Sequence, residues 1–275
     1  MLTYRQTPPI PALGCIVARF SQRRCREAQR HVPAFDLPAR LDRFIEFYLG
    51  EPVRVGTGAE SPRAVPEVVL VAPHTRPGKR LQMLGDVDTF TIHFEPTGLH
   101  RLFGLPLQGL ADHALAAPDA LGTAVLRLRD RLAQAPDFDA RVACATAWLG
   151  QRLAAARPAD GLDALVATRL TPGMGPAAAT DHGRVALWAR QLGWSERHLH
   201  RRFIERTGLP PSLHGRLLRF QSLMQAHARA PASPLTQLAL EAGYFDQSHC
   251  IRDCRAFTSQ PPGAFLAAWP DLGRP

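Results

Sequence analysis

The C-terminal third of the chain carries one local pattern twice, and this repeat restricts the fold more than any other feature of the sequence. In each copy an alanine lies four residues before a glycine, and a polar residue able to cap a helix follows shortly afterwards. The residues are Ala189, Gly193 and Ser195 in the first copy and Ala239, Gly243 and Asp246 in the second. The alanine lets two helices cross closely, the glycine tolerates a positive φ, and the capping side chain accepts a hydrogen bond from the next helix. Each copy therefore predicts a helix, a tight turn and a second, capped helix.

The second helix of each copy has an inward and an outward face. Leu199 and Phe203 share the inward face of the first, and Cys250 and Cys254 take the same positions in the second. The outward residues are Arg197, His200 and Arg201 in the first helix and Gln247, Ser248, Ile251 and Arg252 in the second. Several of these residue types hydrogen-bond to base edges in the major groove, which is about 12 Å wide and admits one α-helix. The sequence thus predicts two helix-turn-helix units that bind duplex DNA.

Residues 183–270 resemble the DNA-binding domain of the AraC/XylS family of bacterial transcription regulators. The resemblance is carried by Ala239–Gly243, Tyr244–His249, Arg252, Arg255–Phe257 and Pro262. It implies an all-α domain of seven helices, in which a long helix near residues 212–228 joins the two units. The two recognition helices would then enter successive major grooves, about 34 Å apart.

The same resemblance implies which residues contact DNA. Base contacts would fall on Arg197, His200 and Arg201 in the first unit and on Gln247, Ser248 and Arg252 in the second. Ser195 and Arg255 would contact phosphates, which position a protein without specifying sequence. Cys250 and Cys254 depart from the family pattern, which has Phe or Leu there, and Ser259 stands where glycine is usual. A side chain in left-handed backbone is unfavourable, so we expect a looser second unit.

The first 160 residues show a β pattern followed by a helical one. Val68–Ala72 and Phe90–Phe94 are predicted strands, and apolar residues at helical spacing predict an αα-hairpin over residues 119–157. This hairpin could cover the sheet or pair with a second subunit, and the family resemblance implies a cupin-like β-barrel beside it. We therefore expect an α+β chain. Its parts are a β-rich sensor or dimerisation domain at 1–160, a linker at 161–182 and an all-α DNA-binding domain at 183–270.

The charge of the chain agrees with a nucleic-acid partner. Its 275 residues include 33 Lys and Arg against 24 Asp and Glu, a formal net charge of +9, which favours a polyanion. No apolar run is long enough to cross a bilayer, and the N-terminus lacks the apolar segment of a signal peptide. We therefore expect a cytoplasmic protein with reduced cysteines and no membrane partner.

The N-terminal half offers two weaker candidates for chemistry. Four histidines could suggest a metal, as in cupin enzymes: His74, His93, His100 and His113. The close His-x-His pair followed by Glu is absent, so we expect no metal and no cofactor. An arginine-rich run from Arg19 to Arg30 surrounds Cys25; a solvated basic face is the simpler interpretation, and a redox-sensing thiol is the alternative.

Together these features predict a sequence-specific transcription regulator and not an enzyme. We expect its N-terminal domain to sense a small-molecule effector and to form a homodimer, with the hairpin at 119–157 as the candidate interface. RNA polymerase would be a further partner if the protein activates transcription. Two alternatives stay open: a cupin-type metalloenzyme fused to a DNA-binding module, and a constitutive architectural DNA binder.

Overall fold

The computed structural model describes residues 3–25, 32–51, 53–57, 61–83, 85–169 and 182–268. Residues 170–181 of the predicted linker lie outside these ranges, as do Arg26 and Arg30 of the arginine-rich run. None of the helices within the described ranges is long and apolar enough to cross a membrane.

The described residues form an N-terminal region dominated by strands and a C-terminal region of helices. The strands are β1 Thr3–Thr7, β2 Val17–Cys25, β3 Val32–Leu37, β4 Phe44–Tyr48, β5 Val53–Thr57, β6 Arg63–Ala64, β7 Val68–Val71, β8 Lys79–Met83, β9 Val87–Phe94 and β10 Ala114–Ala116. The helices are α1 Gly98–Phe103, α2 Ala117–Leu121, α3 Ala124–Gln134, α4 Phe138–Leu153, α5 Gly161–Arg169, α6 His182–Gln191, α7 Glu196–Thr207, α8 Pro211–Arg229, α9 Leu235–Glu241, α10 Gln247–Thr258 and α11 Pro262–Ala268. The predicted α+β class is confirmed.

The strands pair into two antiparallel sheets. The larger has the order β1-β2-β9-β4-β7-β10, and the smaller has the order β3-β8-β5-β6. The two predicted strands fall within β7 and β9. The cupin-like barrel that the family resemblance implies stays a prediction.

One face of the larger sheet is apolar and is covered by helices. Alternate residues of its central strands, such as Phe20, Phe47 and Phe90, are fully buried in one cluster with residues of α3 and α4. The helices contribute Val125, Leu128, Leu132, Phe138, Ala145, Trp148 and Leu149. The predicted hairpin therefore covers the sheet with its apolar face, which was one of its two expected roles.

The arginines of β2 are divided between the two faces of the sheet. Arg19 and Arg23 lie on the face opposite the helices, whereas Arg24 is bonded through Nη2 to Asp88 at 3.1 Å. Their side chains retain only 25%, 29% and 31% exposure. The interpretation of this run as a solvated basic face is wrong for the arginines that the structure describes, because successive side chains of a strand point to opposite faces.

The C-terminal helices enclose a separate core around α8, which matches the long helix expected near residues 212–228. Phe203, Phe220 and Phe257 are buried there. The same core includes Leu162 and Val166 of α5, although these residues fall within the predicted linker. The division of the chain at 160 and 183 stays a prediction.

Residues before β4, together with Leu107 after α1, join the N-terminal region to this core. The Ala39 N–H donates to the carbonyl of Phe257 at 3.0 Å, and Leu107 donates to the carbonyl of Glu205 at 2.7 Å. The buried Arg43 donates from Nε and Nη2 to the carbonyl of Thr207, at 3.3 and 3.1 Å. The last carbonyls of a helix have no partner within the helix. Three such groups, in α7 and α10, are therefore satisfied by the N-terminal region.

Ion pairs with residues in and just before α5 hold the C-terminal end of α7. The Arg206 guanidinium donates from Nη1 to Asp160 Oδ1 at 2.6 Å and lies 3.1 Å from Asp163 Oδ2. Hydrogen bonds from Arg206 hold the pKa of Asp160 at about 2. The pair stays ionised at neutral pH and ties α7 to α5.

The two recognition helices end differently. Both α7 and α10 are followed by a residue in left-handed backbone, Gly208 with φ 82° and Ser259 with φ 61°. Glycine adopts this conformation without a steric penalty, whereas the Cβ of serine does not fit it well. Ser259 thus has the left-handed backbone conformation for which the sequence predicts a steric cost.

Replacing Ser259 by glycine should stabilise the protein. We expect Ser259→Gly to raise the free energy of unfolding by about 0.5–1 kcal/mol, because it removes the strain of the left-handed residue. Urea unfolding followed by circular dichroism measures the change. The matched control is Ser222→Gly within α8, which should lower stability by about 0.5 kcal/mol through helix propensity. A loss of stability in both variants would contradict the assignment.

Removing the Arg43 side chain should destabilise the join between the two regions. We expect Arg43→Ala to lower the free energy of unfolding by about 2–3 kcal/mol, because it leaves a buried carbonyl without a donor. Arg54→Ala on the exposed side of β5 is the control and should change stability by less than about 0.5 kcal/mol. Equal urea midpoints for the two variants would show that the Arg43 contact contributes nothing.

Candidate nucleic-acid interface

The first helix-turn-helix unit consists of α6, a tight turn and α7. The turn contains Gly193 with φ 68°, and the Trp194 N–H donates to the carbonyl of Ala189 at 2.8 Å. The Ser195 hydroxyl accepts a hydrogen bond from the His198 N–H at 3.2 Å, which caps α7. These are the roles that the repeat predicts for the alanine, the glycine and the cap.

The second unit consists of α9, a turn and α10, and repeats the same construction. Gly243 has φ 85°, and the Tyr244 N–H donates to the carbonyl of Ala239 at 2.9 Å. The Asp246 carboxylate accepts from the His249 N–H at 2.6 Å. Its turn is one residue longer than the first, and the added Phe245 is 90% exposed.

The inward faces of α7 and α10 are packed as the spacing predicts. Leu199 and Phe203 are fully buried on α7, and Cys250 and Cys254 are fully buried on α10. A hydrogen bond to Cys250, together with burial, raises the pKa of the Cys254 thiol, which therefore stays protonated at neutral pH. The two cysteines serve as small core residues here.

All eight predicted contact residues are exposed. They are Ser195, Arg197, His200 and Arg201 in the first unit and Gln247, Ser248, Arg252 and Arg255 in the second. Among the residues that the structure describes, the side chains of Arg197, Arg201, Arg252 and Arg255 form no ion pair or hydrogen bond. Such guanidinium groups can reach phosphates or guanine edges without first breaking a contact within the protein.

The outer face of α7 lines an open groove of about 560 Å³. Arg197, His200 and Arg201 lie in it, and Gln108 of the N-terminal region forms part of its rim. The groove brings three predicted base-contacting residues together on one surface. On α10, Gln247 and Ser248 open the helix and Arg252 lies about one turn further along, and all three are exposed.

Sequence reasoning passed over Phe245. An aromatic residue between the turn glycine and the cap is the signal that could have drawn attention to it. Its exposed ring precedes Gln247 by two residues in the chain. Phenylalanine can contact the methyl group of thymine.

The histidines considered as metal ligands lie apart from one another. His74 Nδ1 is 3.0 Å from Asp112 Oδ1, and His93 Nε2 is 2.9 Å from the Ser21 hydroxyl. His100 contacts the carbonyl of Leu105 and the guanidinium of Arg157, and His113 is exposed. In the portion of the chain that the structure describes, no group of three or more His, Cys, Asp or Glu side chains is arranged to hold a metal ion.

Comparison with known proteins gives a family match for the C-terminal region. The family model described as "Helix-turn-helix domain" matches residues 188–268. No curated protein matches the chain.

Several solved structures align with most of the chain at low sequence identity and low TM-score. ToxT from Vibrio cholerae O395 is 10% identical, with 97% of this chain and 96% of that chain covered and a TM-score of 0.45. A second ToxT structure from Vibrio cholerae is also 10% identical, with 97% of each chain covered and a TM-score of 0.44. The AraC-like transcriptional activator CuxR is 12% identical, with coverage of 86% and 100% and a TM-score of 0.25.

The family match and the geometry of the two units agree on the same residues. Both units have the close-crossing alanine, the turn glycine and the capped second helix, and both lie within residues 188–268. This part of the chain is an AraC-type helix-turn-helix domain, the DNA-binding module of AraC-type transcription regulators.

Proposed function

We propose that this chain is a sequence-specific, ligand-responsive regulator of transcription that acts on duplex DNA in the cytoplasm. The observation that carries the proposal is the pair of capped, exposed recognition helices, α7 and α10, within one helix-turn-helix domain. Each helix presents polar side chains on the face that is not packed in the core. A helix presented in this way fits the major groove.

The contact residues divide into two kinds. Arg197, His200 and Arg201 on α7 read base edges in one major groove; on α10, Gln247, Ser248 and Arg252 read the next. Ser195 and Arg255 contact phosphates and set the position of the protein on the duplex. Each unit presents two exposed arginines, Arg197 and Arg201 on α7 and Arg252 and Arg255 on α10, so both units contribute to the affinity.

The N-terminal region supplies regulation and not catalysis. It senses a small-molecule effector and forms a homodimer, with the outer face of the α3–α4 hairpin as the interface. The inner face of this hairpin is packed against the sheet, so a second subunit would meet its exposed side, which includes Leu126 at 36% exposure. RNA polymerase is a further partner if the protein activates transcription.

Preference for a particular DNA sequence distinguishes a regulator from an architectural DNA binder. We expect the full-length chain to bind its own upstream intergenic DNA more tightly than random duplex of equal length, by roughly 10³-fold or more for a specific site. Fluorescence anisotropy across a series of salt concentrations measures both affinities, since the nonspecific part falls steeply with salt. Equal, steeply salt-dependent binding to both DNAs would favour the architectural function.

Two arginine variants test the division between base and phosphate contacts. Arg201→Ala should weaken binding to the preferred sequence by about 1–3 kcal/mol and relax preference at one base position. Arg255→Ala should weaken binding to all sequences alike and reduce the slope of log affinity against log salt by about 1. Arg54→Ala, far from both helices in the sequence, is the control. The same uniform loss in both variants would contradict a base contact by Arg201.

A further inference from the structure

The groove along the outer face of α7 is bordered by a residue that lies outside both helix-turn-helix units. Gln108 belongs to the loop between α1 and β10 of the N-terminal region, and it lines the groove together with Arg197 and Arg201. It is exposed, as those two arginines are. The surface proposed to meet DNA therefore includes one side chain from the N-terminal region.

The backbone beside Gln108 is fixed against the C-terminal end of α7. The Leu107 N–H donates to the carbonyl of Glu205 at 2.7 Å, and the Leu107 side chain is fully buried. The backbone of Gly208 passes so close that a Cβ there would lie 3.2 Å from the Leu107 carbonyl oxygen. These contacts hold Gln108 in a defined position beside the recognition helix.

The other end of the same loop is held by the connection between β7 and β8. The Asp112 N–H donates to the carbonyl of Pro73 at 2.8 Å. The Asp112 carboxylate accepts hydrogen bonds from the backbone N–H and the hydroxyl of Thr75, each at 2.6 Å. With both of its ends bonded to other parts of the fold, the loop can present Gln108 to a partner of α7.

The groove carries a net positive charge. Among its described lining residues, Arg197 and Arg201 are cationic and Glu196 is anionic. Gln108 and Ser212 add neutral side chains that can form hydrogen bonds. A positively charged surface of this kind attracts a polyanion.

The dimensions of a helix and of duplex DNA indicate what Gln108 would meet. An α-helix with its side chains is about 10–12 Å across, and the major groove is about 12 Å wide. A recognition helix therefore fills the width of the groove, and protein atoms immediately beside it meet the sugar-phosphate strands at the edges. Gln108 stands in such a position relative to α7.

We propose that Gln108 is a DNA contact supplied by the N-terminal region, whose side-chain amide donates a hydrogen bond to a phosphate at the edge of the groove that α7 occupies. Such contacts set the position of a protein on the duplex and carry no sequence information of their own. The proposal rests on the proposed function, since it extends the same interface beyond the helix-turn-helix domain.

This contact would place the N-terminal region directly against DNA. Gln108 and α7 would touch the same duplex, while the bond from Leu107 to Glu205 joins the two parts of the protein. A change in how the N-terminal region is seated on α7 would then alter DNA affinity without any change within α7 itself.

Two substitutions of Gln108 test the contact by opposite effects on DNA affinity. Gln108→Ala should weaken binding to the upstream DNA and to random duplex alike, by about 3- to 10-fold, because one hydrogen bond is lost. Gln108→Lys should tighten binding at low salt and steepen the slope of log affinity against log salt by about 1, because a further phosphate is neutralised. Fluorescence anisotropy with the full-length chain measures both.

Gln6→Lys is the matched control, because it adds the same charge to the same region of the protein. Gln6 is exposed on β1, an edge strand of the larger sheet. Three strands separate β1 from β7, which corresponds to about 19 Å at the usual strand spacing. The connection after β7 packs against Gly208 at the end of α7. Gln6→Lys should therefore leave the salt slope unchanged.

Two results would overturn the proposal. An equal change of slope in Gln6→Lys and Gln108→Lys would show general attraction by added charge and no local contact. Tighter binding by Gln108→Ala would show that this side chain obstructs DNA.

Neutral phosphate analogues locate the contact on the duplex. Methylphosphonates are placed one at a time along the preferred site, and the affinities of the original chain and of Gln108→Lys are compared for each duplex. The gain from lysine should disappear at one or two positions beside the bases read by α7, because the added cation loses its partner there. A gain that persists at every position would overturn the contact.

The unsubstituted chain separates this proposal from the proposed function. Specific DNA binding that is unaffected by substitution of Gln108 contradicts the contact alone. Failure of the unsubstituted chain to bind any duplex contradicts the proposed function and the contact together.

Discussion

The buried guanidinium of Arg43 at the carbonyl end of α7 is the contact on which the arrangement of the molecule depends. A helix ends with unpaired carbonyls, and a buried helix end needs donors from elsewhere in the fold. Arg43 supplies two hydrogen bonds to Thr207, and the Ala39 N–H supplies another to Phe257 of α10. Burial lowers the pKa of Arg43 to about 10, which leaves it charged at neutral pH. One short segment of the N-terminal region thus completes both recognition helices.

The two helix-turn-helix units have the same arrangement of helices and turn, but they differ in the residues that stabilise them. The first has large apolar residues inward, glycine at its left-handed end and basic residues outward. The second has Cys250 and Cys254 inward and Ser259 at its left-handed end. Smaller core residues bury less apolar surface, and a strained helix end lowers stability further. We therefore expect the second unit to be the less stable of the two.

Interactions between residues close together in the chain could be predicted from the sequence, whereas interactions between residues far apart in it could not. Capping, turn and helix spacing are local, so the sequence predicts both units. The family resemblance, and not a local pattern, implies α8, and it places this helix within one residue at each end. The sheet order joins β2 to β9, which are far apart in the chain, and no local pattern reveals it. The same is true of Arg206 and Asp160, and of Arg43 and Thr207. Local charge was misleading for Arg19, Arg23 and Arg24, because the first two lie on the face of the sheet opposite the helices and the third pairs with Asp88.

Segment 39–44 connects the N-terminal region to α7 and α10, the helices proposed to bind DNA. Its two ends meet different parts of the fold: Ala39 and Leu41 belong to the C-terminal core, whereas Phe44 opens β4 beside His93. A packed core resists gradual deformation, so a shift of this segment would move the helices it holds rather than be absorbed. A ligand changes DNA affinity only if it binds one arrangement more tightly than another.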